Sequence, residues 1–312
     1  MEIANGRTQQ AEKLRGVRSA RRCDAGAITA LLQNAPHTHI HADWHYPADW
    51  LGSPGFVVVD ETGKKASSGS MTNRLFGPQA RIIACLAVAA DPPPAAWVRV
   101  AAVSETVNAP AALAEMFSSI DEYLQQTAVS QLGWLLVEPW PQSWIRELGF
   151  EKIGSVRTFV REGTETPNFR SLPGLHFRPV KADDLESLAR IETAAFQPLW
   201  RNSAAGLSLA IQHAFSFDVV VYEDRVVGYQ CSTLMRQGAH LSRITIDPVM
   251  QGNGIGSALL AHAINGYRLR GVETISLNTQ LDNLHSKRLY ERFGFKPIGQ
   301  RFPVWAIQYR IS

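Results

Sequence analysis

This chain contains a divergent internal repeat, and a repeat restricts the fold to one structural plan used twice. Residues 144–154 read WIRELGFEKIG and residues 289–299 read LYERFGFKPIG, so each half closes with a helix-like stretch that ends in Gly-Phe. Each half also opens with an arginine, then an aspartate, then an amphipathic helical pattern. These pairs are Arg18 with Asp24 and Arg178 with Asp184. The repeat indicates a tandem duplication.

Strand-like and helix-like segments alternate in both halves. The matched segments are 56–59 with 219–222, 86–92 with 244–248, and 134–137 with 274–277. The first pair consists of short apolar runs rich in valine, which are typical of buried strands. The second pair ends in Asp-Pro in both halves. Such interleaving predicts the α/β class, with a mixed sheet of the α+β type and helices packed on its faces in each lobe.

The length and a polar segment predict where the lobes meet. A chain of 312 residues suits two domains of ordinary size. Residues 161–174 are polar, contain proline and glycine, and show no periodicity, as a linker does. We therefore predict a first lobe at residues 1–160, a linker at 161–174 and a second lobe at 175–312.

Composition excludes several classes of protein. The net charge is only +3, from 31 basic against 28 acidic residues, and this favours neither nucleic acid nor a membrane surface as a partner. Three cysteines stand far apart, so no disulfide framework is expected and a reducing, cytoplasmic location is predicted. No apolar run reaches about 18 residues, so no membrane span is expected. A monomer or a homodimer would suit this composition.

The segment most informative about function is residues 244–260, ITIDPVMQGNGIGSALL. A strand runs into glycines that open a helix, in which Ile255, Leu259 and Ala263 recur at helical spacing. Glycines allow a tight turn, and the free N–H groups of a helix start attract phosphate. A P-loop requires Lys-Ser/Thr after the last glycine, and this sequence has none there. Dinucleotide-binding folds carry the loop after a first strand, with an acidic residue about 20 positions later, whereas this loop lies in mid-chain. The alternative is a tight turn without a ligand.

Two motifs in the second lobe resemble those of the GNAT superfamily of N-acetyltransferases. Gln251-x-x-Gly254-x-Gly256 resembles motif A, and the stretch from Asn283 to Phe295, with Ser286 and Tyr290, resembles motif B at the expected distance. The resemblance implies that acetyl-coenzyme A lies between splayed parallel strands at 241–246 and 274–277. It also implies the coenzyme-binding residues Ile244, Thr245, Ile246, Gln251, Gly252, Asn253, Gly254, Ile255, Gly256, Ser257, Asn283 and Ser286.

Acyl transfer to an amine needs a neutral amine, an oxyanion donor and a proton for the departing thiolate. By resemblance, Tyr290 is the general acid; the alternative is a packing tyrosine. His240 stands where histone-modifying relatives place a glutamate, and a histidine could accept the amine proton. The equally weighted alternative is a surface or strand-end histidine without a catalytic role. Asn278, which cannot take a proton, stands where other relatives carry a glutamate. Glu223 and its neighbour Asp224 are weaker bases, because they read as a hairpin turn.

The first lobe is predicted to have lost the coenzyme site. We match residues 91–99, DPPPAAWVR, to the glycine loop, and its prolines lack the N–H groups that hold phosphate. Ile145 stands at the position of Tyr290, and Glu138 at that of Asn283. Four histidines, with Asp43 among them, could suggest a metal site, but an aromatic-packed loop is the favoured interpretation and no metal is expected. They are His37, His39, His41 and His45.

Two functions from different classes remain. The leading one is transfer of an acetyl group from acetyl-coenzyme A to the amine of a small molecule or of a protein N-terminus. The other is a non-catalytic acyl-coenzyme A sensor or interaction module. The absence of a glutamate at Asn278 favours the sensor, whereas Tyr290 favours the enzyme.

Overall fold

The computed structural model describes residues 16–42, 44–61, 81–163 and 165–309. The elements of the first half are β1 (Val17–Ser19), α1 (Ala25–Asn34), β2 (His37–Ile40), β3 (Phe56–Asp60), β4 (Ile82–Ala89), β5 (Ala95–Val103), α2 (Ala109–Ser119), α3 (Asp121–Gln126), β6 (Gln131–Leu135) and β7 (Glu151–Arg161). Those of the second half are β8 (His176–Pro179), α4 (Leu185–Ala195), α5 (Ala204–His213), β9 (Ser216–Tyr222), β10 (Arg225–Met235), β11 (Gly238–Ile246), α6 (Ile255–Leu269), β12 (Ile275–Gln280), α7 (Leu284–Arg292) and β13 (Lys296–Gln308).

The predicted strands are present, with shifted ends. The strand expected at 134–137 runs over Gln131–Leu135, and the one expected at 274–277 runs over Ile275–Gln280. The strand expected at 241–246 begins earlier, at Gly238. Between β9 and β10 the chain turns through Glu223 and Asp224, both with positive φ, as the hairpin interpretation predicts.

One mixed sheet runs through both lobes. Its order is β1-β3-β4-β5-β6-β13-β7-β12-β11-β10-β9-β8. The last strand of the second half, β13, pairs with β6 of the first, and the last strand of the first half, β7, pairs with β12 of the second. The two lobes thus exchange their final strands, and the mixed sheet predicted in each lobe is part of one continuous sheet. The lobe limits 1–160 and 175–312 stay a prediction.

The paired arginines and aspartates of the repeat adopt the same geometry. Arg18 donates hydrogen bonds of 2.7 and 3.0 Å to the two oxygens of Asp24, and Arg178 donates bonds of 2.7 and 2.8 Å to those of Asp184. In both pairs the hydrogen bond from the guanidinium lowers the pKa of the carboxyl group. Equivalent positions in the two halves therefore make equivalent contacts, as a duplication predicts.

The register of the sheet corrects one match between the halves. β5 and β6 are parallel with Ala95 opposite Gln131, and β11 and β12 are parallel with Ala239 opposite Ile275. β5 is therefore the counterpart of β11. Residues 91–94 form the hairpin turn before β5, so placing these prolines at the glycine loop was wrong. The shared Asp-Pro misled the match, because it occurs after β11 but before β5.

The true counterpart of the glycine loop is the short connection at residues 104–108, between β5 and α2. It contains no glycine. The side chain of Asn108 accepts a hydrogen bond of 3.0 Å from the N–H of Ala111, and Pro110 stands in the first turn without an N–H. The helix start is therefore already capped by its own chain.

The helices cover the sheet and close its core. α2 packs on β3 and β4, and α6 packs on β9, β10 and β11. Every residue of β4 and β5 is buried, as central strands covered on both faces require. Of the helices in the described part of the chain, none is both long and apolar enough to cross a bilayer.

Candidate active site

A cavity of about 1500 Å³ collects the residues that the sequence marked as functional. The predicted acid, Tyr290, and the candidate base, His240, both line it. Every predicted coenzyme-binding residue lines it too: Ile244, Thr245, Ile246, Gln251, Gly252, Asn253, Gly254, Ile255, Gly256, Ser257, Asn283 and Ser286. The structure brings these side chains and backbone segments together, while their individual roles stay predictions.

The cavity opens where two parallel strands separate. β11 pairs with β12 only through Ala239 to Leu241. Past this point β11 continues to Ile246, bonded to β10 on one edge, and its residues 243–246 line the cavity. An unpaired strand edge presents backbone N–H and C=O groups that can bond an extended amide-bearing ligand. The predicted splaying of the two strands is confirmed by this pairing.

The glycine loop leads from β11 into α6. Gly252 and Gly254 have φ of 83° and 75°, in the left-handed region that favours glycine. A Cβ on Gly254 would lie 2.0 Å from the carbonyl oxygen of Arg170, and the N–H of Leu172 donates a 2.9 Å hydrogen bond to Asn253. The predicted linker therefore packs directly on this loop.

The surroundings of the loop suit an anion. Helix α6 begins after Gly254, which has no side chain to cap it, in contrast to Asn108 before α2. Arg170, Arg288 and Arg292 line the cavity beside it, and Arg292 donates a hydrogen bond to the hydroxyl of Ser257. Free helix N–H groups among guanidinium groups are a fitting cradle for the phosphates of a nucleotide.

Tyr290 lies on α7 with its ring edge against Phe295. The side chain is buried, and this burial raises the pKa of the phenol to about 12, while a hydrogen bond with Ser286 opposes the rise. A phenol with so high a pKa stays protonated at neutral pH. Tyr290 can therefore offer a proton to an anion that forms in the cavity.

His240 lies on β11 opposite Ser276 of β12, and its Nδ1 is 2.9 Å from the hydroxyl of that serine. Burial lowers the pKa of His240 below 6.5, so the imidazole is neutral at pH 7 and can accept a proton. Asn278, which also lines the cavity, accepts a 2.8 Å hydrogen bond from the hydroxyl of Thr158. Its amide is thus engaged with β7, the strand received from the first lobe.

A buried ion pair beside the cavity escaped the sequence analysis. Arg243 of β11 donates hydrogen bonds to Glu192 (2.6 Å) and to the carbonyl oxygen of Trp200 (2.5 Å), and its guanidinium stacks 4.0 Å from the ring of Phe196. Tyr229 donates a 2.5 Å bond to the same carboxylate. The network holds residues 196–202 against the sheet. Glu192 lies on the buried face of α4 with Leu188 and Ile191. A charged residue among these apolar positions was the feature of the sequence that could have revealed the ion pair.

The first lobe supplies one wall of the cavity. His41, Trp44, Trp97, Leu135 and Val156 line it together with second-lobe residues. The indole N–H of Trp97 donates a 2.7 Å hydrogen bond to the carbonyl of Leu199, and its ring meets that of Trp200 at 5.3 Å. The cavity is therefore completed by both lobes.

In the first lobe the equivalent space is filled. β5 pairs with β6 only through Ala95 to Trp97, and its residues 100–103 then pair with β2. His37 stacks on Trp140, and His39 is buried with its ring edge on Trp134. The histidine segment is thus packed by aromatic rings as predicted, but it begins as a strand and not as a loop.

No cluster of three or more metal-ligating side chains occurs among the residues whose structure is described. Asp43, which the sequence placed among the histidines, lies outside those residues.

Comparison with known proteins agrees with this geometry. Residues 185–295 match the Acetyltransferase (GNAT) family. The [ribosomal protein bS18]-alanine N-acetyltransferase of Haemophilus ducreyi is 31% identical over 117 residues, which cover 37% of this chain and 78% of that protein. The chain belongs to the GNAT family and is an acyltransferase of the acetyl-coenzyme A-dependent kind.

Solved structures show the same fold over nearly the whole chain. A GCN5-related N-acetyltransferase from Sphaerobacter thermophilus aligns with a TM-score of 0.56 at 16% identity, over 94% of this chain and 95% of that one. A tandem GNAT protein from the clavulanic acid biosynthesis pathway aligns with a TM-score of 0.58 at 14% identity, over 94% and 98%. The two-lobed arrangement is therefore that of a tandem GNAT protein.

Proposed function

We propose that the second lobe transfers an acetyl group from acetyl-coenzyme A to a primary amine. The observation that carries this proposal is the single cavity shared by Tyr290, His240, the open edge of β11 and the glycine loop. A proton donor and a proton acceptor thus face the same space as an anion cradle and a strand edge.

The coenzyme supplies the acetyl thioester when it is bound. The phosphates would be held at the start of α6, by the N–H groups that follow Gly254 and by Arg170, Arg288 and Arg292. The backbone of residues 244–246 would hold the amide-bearing arm through its unpaired edge. Asn283 caps α7, because its side chain accepts a 3.1 Å bond from the N–H of Ser286, and so it positions the helix that carries Tyr290.

Two side chains would manage the protons. The Oη of Tyr290 would protonate the departing thiolate, because its pKa, raised by burial, keeps the phenol protonated at neutral pH. His240, neutral because burial lowers its pKa, would accept the proton of the attacking amine directly or through water.

The acceptor can be the amine of a small molecule or a protein N-terminus. The relative from Haemophilus ducreyi is named as an alanine N-acetyltransferase of ribosomal protein bS18, so a protein acceptor has a precedent among similar proteins. The alternative function, an acyl-coenzyme A sensor, would use the same coenzyme cradle without Tyr290 chemistry.

Release of coenzyme A thiol, measured with a panel of amines and with Tyr290→Phe, tests the proposal. We expect turnover to fall by about 10² to 10⁴, the usual worth of a positioned acid or base, with unchanged coenzyme affinity in calorimetry. Equal turnover would reduce Tyr290 to a packing residue. Coenzyme binding without thiol release for any amine would favour the sensor.

A further inference from the structure

We propose that the acceptor is a small amine that carries an aromatic ring, and that the ring binds between the two lobes against Trp44, Trp97 and Trp200. This inference rests on the proposed acetyl transfer and adds the class of its substrate. The three tryptophans line the same cavity as His240 and Tyr290, and two of them come from the first lobe.

The aromatic side chains in this wall of the cavity contact one another. Trp97 meets Trp200 at 5.3 Å with an angle of 65° between the rings, and His41 meets Trp97 at 5.1 Å and 88°. Trp97 itself is buried, whereas Trp44 and Trp200 are half-buried at the cavity wall. Edge-to-face sets of this kind accept a further ring readily, since aromatic rings prefer such offset and perpendicular contacts.

The wall is also rigid. The carbonyl oxygen of Trp200 accepts the bond from Arg243, while Leu199 accepts that from Trp97. Residues 198–200 are thus tied to β11 of their own lobe and to β5 of the other. A preorganised wall loses little conformational freedom on binding, so it favours a flat and rigid ligand group.

The charge at this end disfavours a polycation. Arg201 lines the cavity, and its Nε donates a 2.9 Å bond to the carbonyl of Phe196, so its guanidinium is fixed there. The charge of Arg243 is balanced by Glu192. A second ammonium group on the acceptor would face Arg201, which makes a polyamine a poor substrate.

Both lobes contribute to the packing of this wall. Leu199 belongs to a buried cluster with Trp97, Val156 and Val304, against which Trp200 packs. This cluster joins residues of both lobes, so the aromatic wall exists only where the two lobes meet.

The test compares 2-phenylethylamine, n-butylamine, spermidine and a short peptide that begins with alanine, each as acceptor in the thiol-release assay. We expect kcat/KM to be highest for 2-phenylethylamine. Trp200→Ala should raise the KM for this amine by about 10-fold or more, with little change for n-butylamine or acetyl-coenzyme A, and Trp200→Phe should restore it. The backbone carbonyl that Arg243 binds is kept in both variants.

Trp144→Ala is the matched control, because this half-buried tryptophan packs on Trp140 outside the cavity. If Trp200→Ala does not fold, Trp44→Ala provides the same comparison from the other lobe. Equal kcat/KM for n-butylamine and 2-phenylethylamine, or a preference for the peptide or for spermidine, would overturn the inference and leave acetyl transfer intact.

Failure of acetyl transfer itself gives a different result, namely no thiol release with any amine. In that case, binding of 2-phenylethylamine in the presence of coenzyme A is followed by tryptophan fluorescence. Quenching that is lost in Trp200→Ala would support the aromatic site, and the absence of saturable quenching in the unmodified protein would overturn it.

Discussion

The two lobes share one plan and differ in what lies between their separating parallel strands. In the second lobe, β11 and β12 part after Leu241 and leave a cavity of about 1500 Å³. In the first lobe, β5 and β6 part after Trp97, and β2 fills the space by pairing with residues 100–103. By pairing with this edge, β2 engages the backbone N–H and C=O groups that the corresponding edge of β11 leaves available for a ligand.

The N-termini of the two matched helices, α2 and α6, also differ in whether their first N–H groups are already bonded within the chain. Asn108 caps α2 with its own side chain, whereas Gly254 before α6 leaves the first N–H groups for another partner. At the position of Tyr290 the first lobe has Ile145, which is fully buried in its core. At these three positions the first lobe therefore lacks the feature that the second lobe has.

The largest expected effect comes from separating the lobes. Residues 170–312 alone lack β7, so β12 and β13 lose the strand that lies between them. We expect this fragment to aggregate or remain unfolded, because it exposes strand edges and the apolar face toward the first lobe. Residues 151–312, which keep β7, should be more soluble. A monomeric and fully active 170–312 fragment would contradict the exchange of strands.

The number of coenzyme molecules bound per chain tests directly whether only the second lobe has an open groove between its separating parallel strands. We expect one acetyl-coenzyme A per chain in calorimetry and no measurable binding to Gly254→Asp, which adds charge and bulk to the cradle. Because a side chain there also clashes with Arg170, the companion variant is Gly256→Asp, where an added Cβ would make only ordinary contacts of 3.7 and 3.8 Å. Asn108→Asp in the first lobe should leave binding unchanged. Two coenzyme molecules per chain would show that β2 does not block the first groove.

A smaller effect is expected for the candidate base. His240→Ala should lower the rate by up to about 10²-fold, and the loss should shrink as pH rises, because more of the acceptor amine is then already neutral. Since burial lowers the pKa of His240, the unmodified enzyme should keep this assistance at pH 6.5 and lose it on further acidification. A loss that does not vary with pH would mean that His240 only positions the substrate.

The smallest expected effect is on the free energy of unfolding at acid pH, through His39 of β2, the strand that pairs with β5 in the first lobe. Burial, with His41 adding to it, lowers the pKa of His39 from 6.5 to about 3. Below pH 6.5 the unfolded chain therefore takes up a proton that the folded chain does not, and stability falls. Between pH 6.5 and about 5.5 the free energy of unfolding should drop by about 1 kcal/mol through this group.

Denaturant unfolding over that range of pH measures the drop. His39→Gln should reduce it, whereas Thr38→Ala, which weakens the same strand without removing a titratable group, should keep it. An unchanged drop in His39→Gln would assign the acid sensitivity to other residues.

Local patterns allowed much of the fold and of the site to be predicted. The Gly-Phe repeat, the paired Arg and Asp residues and the glycine loop depend on spacings of a few residues along the chain. Such features follow from turn, cap and helix geometry, so they can be recognised in one sequence. They were enough to predict the α/β class, the duplication, and the set of residues from Ile244 to Tyr290 that gather around one cavity.

Pairings between distant residues could not be predicted in this way. The exchange of β7 and β13, the insertion of β2 beside β5, and the contact of Trp97 with Trp200 all depend on which strand edges meet in the folded chain. An apolar strand has two edges and the same pattern for either neighbour, so the choice is made by packing and by the need to satisfy every buried backbone group. For the same reason the prolines at 92–94 were misplaced: local composition marks a turn, but only the register of β5 against β6 shows at which end of the strand it lies.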